Sequence, residues 1–242
     1  MLNVIIPMCG QSQRFRDAGY TDPKFVLPVD GVPMYVAAVR SLKLTVEHQL
    51  YFVIQSHVDR EYGLKLQIKE YFPGAKVITI DRNTRGMAET VQLTQPYVDQ
   101  ECGSLLVCCD QMVEYDSAGY NEMLEYSHIS GSLLTFQDSS RDPKWTYVRK
   151  DVIEQVVNIA PKAPISDTPI VGTYHWTNSR WMYRDLAGVT GSSKNTVNGE
   201  YYVCSAVAIS VEHANKPWRS FGVDRMIPLG TPEDYEAYIK NE

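Results

Sequence analysis

The sequence predicts an α/β protein built on a mostly parallel central sheet, and three observations lead there. Short apolar runs alternate with amphipathic stretches through residue 136, the pattern of strands joined by crossover helices. The chain has 242 residues, enough to bury a large core without a disulfide. Its 44% hydrophobic and 21% charged content excludes disorder.

The elements follow in chain order. The apolar run at 2–6 opens the chain as a strand, and further strands are expected at 50–55, 76–80, 104–109 and 132–136. Helices are expected between them at 33–42, 62–71, 87–94 and 120–127. The first starts on Pro33, where the missing N–H costs nothing. Beyond residue 136 the pattern changes: 147–149, 153–158 and 171–176 read as strands separated by short polar turns, which predicts a small mixed-sheet extension. Helices are expected at 180–187 and 233–240. The second follows Gly230-Thr231-Pro232, in which Thr can cap and Pro can occupy the first turn. No repeat, low-complexity tract or linker divides the chain, so 1–242 reads as a single domain.

Composition narrows the function. With 23 Lys+Arg against 29 Asp+Glu the net charge is −6, which argues against a sequence-independent nucleic-acid binder. No apolar run approaches the roughly 18 residues of a membrane span, and the chain opens on a strand without a charged leader, so a cytoplasmic protein with no membrane partner is expected. The cysteines, Cys9, Cys102, Cys108, Cys109 and Cys204, form an odd set without paired metal-ligand spacing. They are expected to be reduced and mostly packed.

Chemistry concentrates where strands end. The first strand runs into Met8-Cys9-Gly10-Gln11-Ser12-Gln13-Arg14-Phe15, with Asp22-Pro23-Lys24 about ten residues later. A loop at the carboxyl end of the first strand of an α/β sheet is where ligands generally bind. Small residues there let backbone N–H groups approach phosphate oxygens. The loop lacks G-x-G-x-x-G and no Walker loop occurs, which disfavours a dinucleotide enzyme or a P-loop NTPase. It offers two cations instead, Arg14 and Lys24, spaced so that a looped-back chain could focus them on one phosphate cluster. The fourth strand ends Val107-Cys108-Cys109-Asp110-Gln111. Its carboxylate is presented at the same sheet edge, suited to Mg²⁺ bridging protein and triphosphate.

These segments resemble the sugar-phosphate nucleotidyltransferase family, which makes nucleoside-diphosphate sugars and related activated head groups. The likeness is to its small single-domain members of capsule and surface-polysaccharide biosynthesis. Residues 5–15 with Pro23-Lys24 resemble its signature loop, 84–90 its base-binding turn, and 107–111 the strand with its metal aspartate. Residues 143–147, 159–166 and 171–174 resemble its acceptor-side segments. Asn198-Gly199-Glu200-Tyr201-Tyr202 and Leu229-Gly230-Thr231-Pro232-Glu233-Asp234 close the match, which spans nearly the whole chain in the right order.

The resemblance implies a Rossmann-like three-layer sandwich, with 1–136 as the nucleotide-binding half and 137–242 as the acceptor-binding half. It implies transfer of a nucleoside monophosphate from a nucleoside triphosphate, on family grounds a pyrimidine one, to a small phosphorylated acceptor, with release of pyrophosphate. The catalytic residues would be Arg14 and Lys24. Met8, Cys9, Gly10, Gln11, Ser12, Gln13, Gly86, Met87 and Ala88 would bind the nucleotide, and Lys162, Gly172 and Glu200 the acceptor. Mg²⁺ would be held by Asp110 and a second carboxylate, Asp224 in preference to Glu200. A homodimer is compatible with the sequence.

Departures from the family pattern bear on the acceptor and the metal. Ser12 stands where many members have a second glycine, with less freedom at positive φ. Pro161 stands where an acidic residue before Lys162 is common, and Leu229 where some members carry a second metal aspartate. Trp145, Tyr147, Tyr174 and Trp176 either line an acceptor pocket or pack the core, the commoner fate of strand aromatics. Two other functions compete: a metal-dependent glycosyltransferase of related fold, and a catalytically silent nucleotide-sugar-binding regulator.

Overall fold

The computed structural model describes residues 1–240. In chain order the elements are β1 (Leu2–Met8), α1 (Gln13–Asp17), β2 (Pro28–Val29), β3 (Val32–Pro33), α2 (Met34–Ser41), β4 (His48–Gln55), α3 (Ser56–Tyr62), α4 (Leu64–Tyr71) and β5 (Lys76–Ile80). Next come α5 (Met87–Gln92), β6 (Gly103–Val107), β7 (Gln111–Glu114), α6 (Ser117–Leu124), β8 (Gly131–Thr135), β9 (Thr146–Lys150) and β10 (Val156–Pro161). The chain continues through β11 (Ile170–Trp176), α7 (Ser179–Thr190), α8 (Val203–His213), β12 (Trp218–Gly222), β13 (Arg225–Pro228) and α9 (Pro232–Lys240).

Seven strands form one central sheet in the order β12-β8-β11-β6-β1-β4-β5. β11 runs antiparallel to both its neighbours and the other pairings are parallel. Strand alternation divides the core into the two faces of an α/β sandwich. Ile5, Val53 and Leu106 pack with α5, α7 and α8 on one side. Val4, Ile6, Phe52, Ile54 and Leu105 pack with α2, α4 and α6 on the other. Small antiparallel ladders, β9 with β10 and β7 with β13, complete the mixed architecture.

A third cluster positions the first loop. Phe15 is buried against Leu27, Met112, Leu229 and Tyr235, and its ring meets Tyr20 edge-on at 5.3 Å and Tyr235 at 6.1 Å. The loop is thereby fixed to the C-terminal helix on one side and to β7 and β13 on the other.

Several expectations shift for identifiable reasons. The helix expected at 62–71 is α4, which starts after Gly63 with φ 62°, and a further helix, α3, precedes it where none was expected. The strand expected at 153–158 begins later, because the Asp151 carboxylate accepts from the N–H groups of Ile153 at 3.0 Å and Gln155 at 2.9 Å, closing a turn. β11 joins the central sheet rather than the extension. α8 escapes sequence reading because it is buried or half-buried nearly all round, which leaves no period to detect. Among the described residues no helix is long and apolar enough to cross a membrane.

Gly131, on β8, faces the β11 backbone at the His175 carbonyl and the Trp218 ring, which a Cβ would approach to 2.5 Å. Trp218 in turn meets Trp176 edge-on at 5.1 Å, and both indoles are buried. Gly131→Ala is expected to destabilise the fold by about 1–3 kcal/mol through overpacking. An unchanged midpoint in urea denaturation would contradict this.

Candidate active site

Lys24 and Asp110 meet at the carboxyl edge of the sheet. Lys24 follows Pro23 at the start of a single 3-10 turn, and Asp110 follows the end of β6. Nζ donates to Oδ2 at 2.5 Å, with 20% and 19% of the two side chains exposed. Burial opposes the charge on Lys24, but Asp110, with Cys109 beside it, outweighs that and holds its ammonium above the usual lysine range. Gly230 completes this corner: a Cβ there would stand 3.1 Å from Asp110 Oδ2.

The first loop turns at Ser12, which adopts the left-handed conformation (φ 53°, ψ 34°) and precedes α1. Gly10, Gln11, Gln13 and Arg14 are exposed. Arg14 projects its charge toward the acceptor-side residues. Burial first, and Arg14 after it, pull the Lys162 ammonium below the usual range. Burial raises the Tyr202 phenol, with Arg14 opposing, and hydrogen bonds, aided by Arg14, hold Glu233 below the usual carboxylate range. Lys162 has φ 58°, and its ammonium donates to the carbonyl of Lys144. Asp142 and Glu200 also act on Lys162. Burial, with smaller contributions from Cys204, Cys108, Asp110 and Tyr202, raises the Tyr174 phenol well above the usual range. Of the expected site residues, Lys24 and Asp110 are in direct contact, and Arg14 lies within electrostatic reach of Lys162.

Other expected residues fill different roles from those the sequence suggested. Met8 and Cys9 are buried, Met8 in the core and Cys9 with its thiol donating to the Val53 carbonyl at 3.4 Å. Burial pushes that thiol up to about 12, so these residues offer the site only backbone. Gly86 has φ 108°, and a Cβ on it would come within 2.7 Å of the Tyr201 carbonyl oxygen. It is glycine for the sake of this backbone approach. Ala88 is fully buried and spends its N–H on Tyr201 at 3.2 Å, which removes that group from nucleotide contact. Met87 lies beside Cys108, with Sδ 3.7 Å from Sγ.

Gly172 is likewise a packing glycine, since a Cβ would stand 2.7 Å from that of Cys108. Its N–H donates to Gln111 Oε1 at 2.6 Å. This bond, which the sequence did not reveal, fastens β11 to the residue after Asp110. The only sequence signal was a polar residue directly following the strand-end carboxylate. Of the aromatic candidates, Tyr147 and Trp176 are core, whereas Trp145 and Tyr174 are partly exposed.

Asp224 is not brought to Asp110. Its N–H donates to the carbonyl of Glu114 at 2.9 Å, four positions along the β7–β13 ladder from Asp110, or about 14 Å at roughly 3.4 Å per residue. The residue beside Asp110 is Leu229, whose N–H donates to the Asp110 carbonyl at 2.9 Å. Among the described residues no group of three His, Cys, Asp or Glu side chains could hold a metal ion. One carboxylate at an open edge does fit Mg²⁺, which commonly takes one or two carboxylates and completes its shell with substrate phosphates and water.

Comparison with solved structures places the fold. The chain is similar to the nucleoside-diphosphate-sugar pyrophosphorylase from Vibrio cholerae RC9, with 22% identity over 98% of this chain and 99% of that one and a TM-score of 0.81. It is similar to the inositol-1-phosphate CTP transferase from T. maritima at 17% identity, over 98% and 93% of the two chains, with a TM-score of 0.75. A UDP-glucose pyrophosphorylase complexed with UDP-glucose superimposes over the full length of both chains at 16% identity and a TM-score of 0.78. No family model matches the chain, and no curated protein matches it. The fold is thus the Rossmann-like sandwich of these nucleotidyltransferases.

Proposed function

We propose that the protein is a nucleotidyltransferase of the sugar-phosphate type. It would move a nucleoside monophosphate from a pyrimidine nucleoside triphosphate to the phosphate of a small acceptor, with loss of pyrophosphate. The observation that carries this reading is the Lys24–Asp110 pair at 2.5 Å, set beneath an exposed glycine-containing loop at the edge where α/β folds bind ligands. The nucleotide would lie on residues 1–136 and the acceptor on 137–242. Sugar 1-phosphates, phospho-alcohols and phospho-amides all suit an acceptor side whose cation, Lys162, is preceded by Pro161 rather than an acid.

The acceptor phosphate is already anionic at neutral pH, so its oxygen can attack the α-phosphorus without a general base. Catalysis then consists of positioning and charge neutralisation. Arg14 grips the β- and γ-phosphates with its planar fork and stabilises departing pyrophosphate. Lys24 lies against the α-phosphate and offsets the charge that builds as two anions approach. Lys162 holds the acceptor phosphate, and Glu200 faces the acceptor. Asp110 would hold Mg²⁺, which supplies Lewis-acid neutralisation of the phosphate oxygens when bound.

Pyrophosphate release, measured for CTP, UTP and dTTP against a panel of phosphorylated sugars, alcohols and amides, tests the reading. One productive combination is expected, and none across the panel would refute it. Asp224→Asn is expected to leave the Mg²⁺ concentration for half-maximal rate within about twofold of wild type, because an exposed turn carboxylate contributes little to a distant site. A tenfold rise would restore Asp224 as a ligand.

A further inference from the structure

We propose that Ser12 is a positioning residue whose hydroxyl holds the backbone of Lys24, so setting where the Lys24 ammonium stands. The inference rests on the nucleotidyl-transfer reading of the same site. Ser12 occupies the left-handed region with φ 53° and ψ 34°, a conformation that costs any residue with a Cβ free energy and suits glycine. A glycine would adopt it freely, and what the serine adds is a hydroxyl. Ser12 Oγ accepts from the Lys24 N–H at 3.0 Å.

That N–H needs a partner. Lys24 opens a single 3-10 turn, whose first donors have no carbonyl within the turn. Ser12 is among the buried polar residues and the bond is part-buried, so water has only limited access to it. The Ser12 carbonyl accepts from Arg16 N–H at 3.1 Å, which begins the helix carrying Arg14. One residue therefore links both cations. Its carbonyl sets the helix of the first, and its hydroxyl sets the backbone of the second, whose Nζ reaches Asp110 Oδ2 at 2.5 Å. The side chain sits inside the loop as a brace, with its acceptor directed at the protein rather than at a ligand.

Three variants separate the brace from the backbone strain. Ser12→Gly removes the acceptor and relieves the strain. Ser12→Ala removes the acceptor and keeps it. Ser12→Asn tolerates left-handed backbone and returns an acceptor oxygen. Two readouts are taken on each folded variant: kcat and KM for the triphosphate in pyrophosphate release, and the rate of Lys24 acetylation by acetic anhydride without substrate, followed by peptide mass spectrometry and normalised to exposed Lys65.

Ser12→Gly and Ser12→Ala are expected to lose about tenfold in kcat with little change in KM, the scale of one hydrogen bond. Lys24 acetylation should rise several-fold, and Ser12→Asn should recover both. Ser12→Gly with wild-type kcat, or with wild-type Lys24 acetylation, would overturn the proposal. If the wild type itself releases no pyrophosphate across the panel, the functional reading fails. Acetylation then still decides whether Ser12 holds Lys24.

Discussion

Lys24→Ala is expected to lower kcat by about 10²–10³, the loss typical of removing one preorganised charge-stabilising donor. The ammonium is held at 2.5 Å from Asp110 before any substrate arrives, so little reorganisation is needed when phosphate charge develops. KM for the triphosphate should move less than kcat, since the contact strengthens most as the two phosphates converge. The charge persists through the working range. Asp110 and its neighbours outweigh burial and raise the Lys24 pKa above its ordinary 10.5, so the pH–rate profile should show no Lys24-dependent limb below that value. The sign for stability follows. With the folded value raised, the stabilisation is complete below the unfolded pKa and is lost as pH rises through the folded one. Turnover near wild type in Lys24→Ala would remove this residue from the mechanism.

Asp110→Asn is expected to affect both activity and stability. It removes the proposed magnesium carboxylate, and kcat should fall by about 10² or more, because a metal ligand and the partner of Lys24 are lost together. It also leaves the Lys24 ammonium facing a neutral amide. The resulting loss of stability should be about 1–2 kcal/mol, less than for a fully buried pair because about a fifth of each side chain remains exposed. The double variant Lys24→Ala/Asp110→Asn should then be less damaged than the sum of its parts, since each single change already breaks the shared contact. Strict additivity in kcat would mean that the two residues act independently, contrary to the geometry.

The fold was legible where periodicity was clean. Strands β1, β4, β5, β6 and β8 carry alternating or continuous apolar runs whose ends lie within a few residues of expectation. α1, β2, β3 and α3, each of seven residues or fewer, were missed for their shortness, and the strands β7, β12 and β13 and the helix α8 were missed as well. The three strands are short and mix polar residues into the pattern, as in Trp218–Gly222, and α8 has apolar groups on nearly every side. In the site, the strand-end position of Asp110 and the loop cations were readable because chain order alone puts them at one sheet edge. Asp224 misled because nearness in sequence to the Gly-Thr-Pro segment said nothing about which end of the β7–β13 ladder it would occupy.

The sequence by itself determined the α/β alternation, the loop after β1 and the carboxylate after β6, since each follows from local pattern and from the rule that parallel strands end on a common edge. Only the tertiary structure decided that Lys24 reaches Asp110 across 86 positions of chain, that Gly86 and Gly172 are glycines for their neighbours' sake, and that the Ser12 hydroxyl accepts from the Lys24 N–H. Those facts depend on distances between segments remote in sequence, which are set by how side chains fill the space between them and leave no trace in any single stretch of chain.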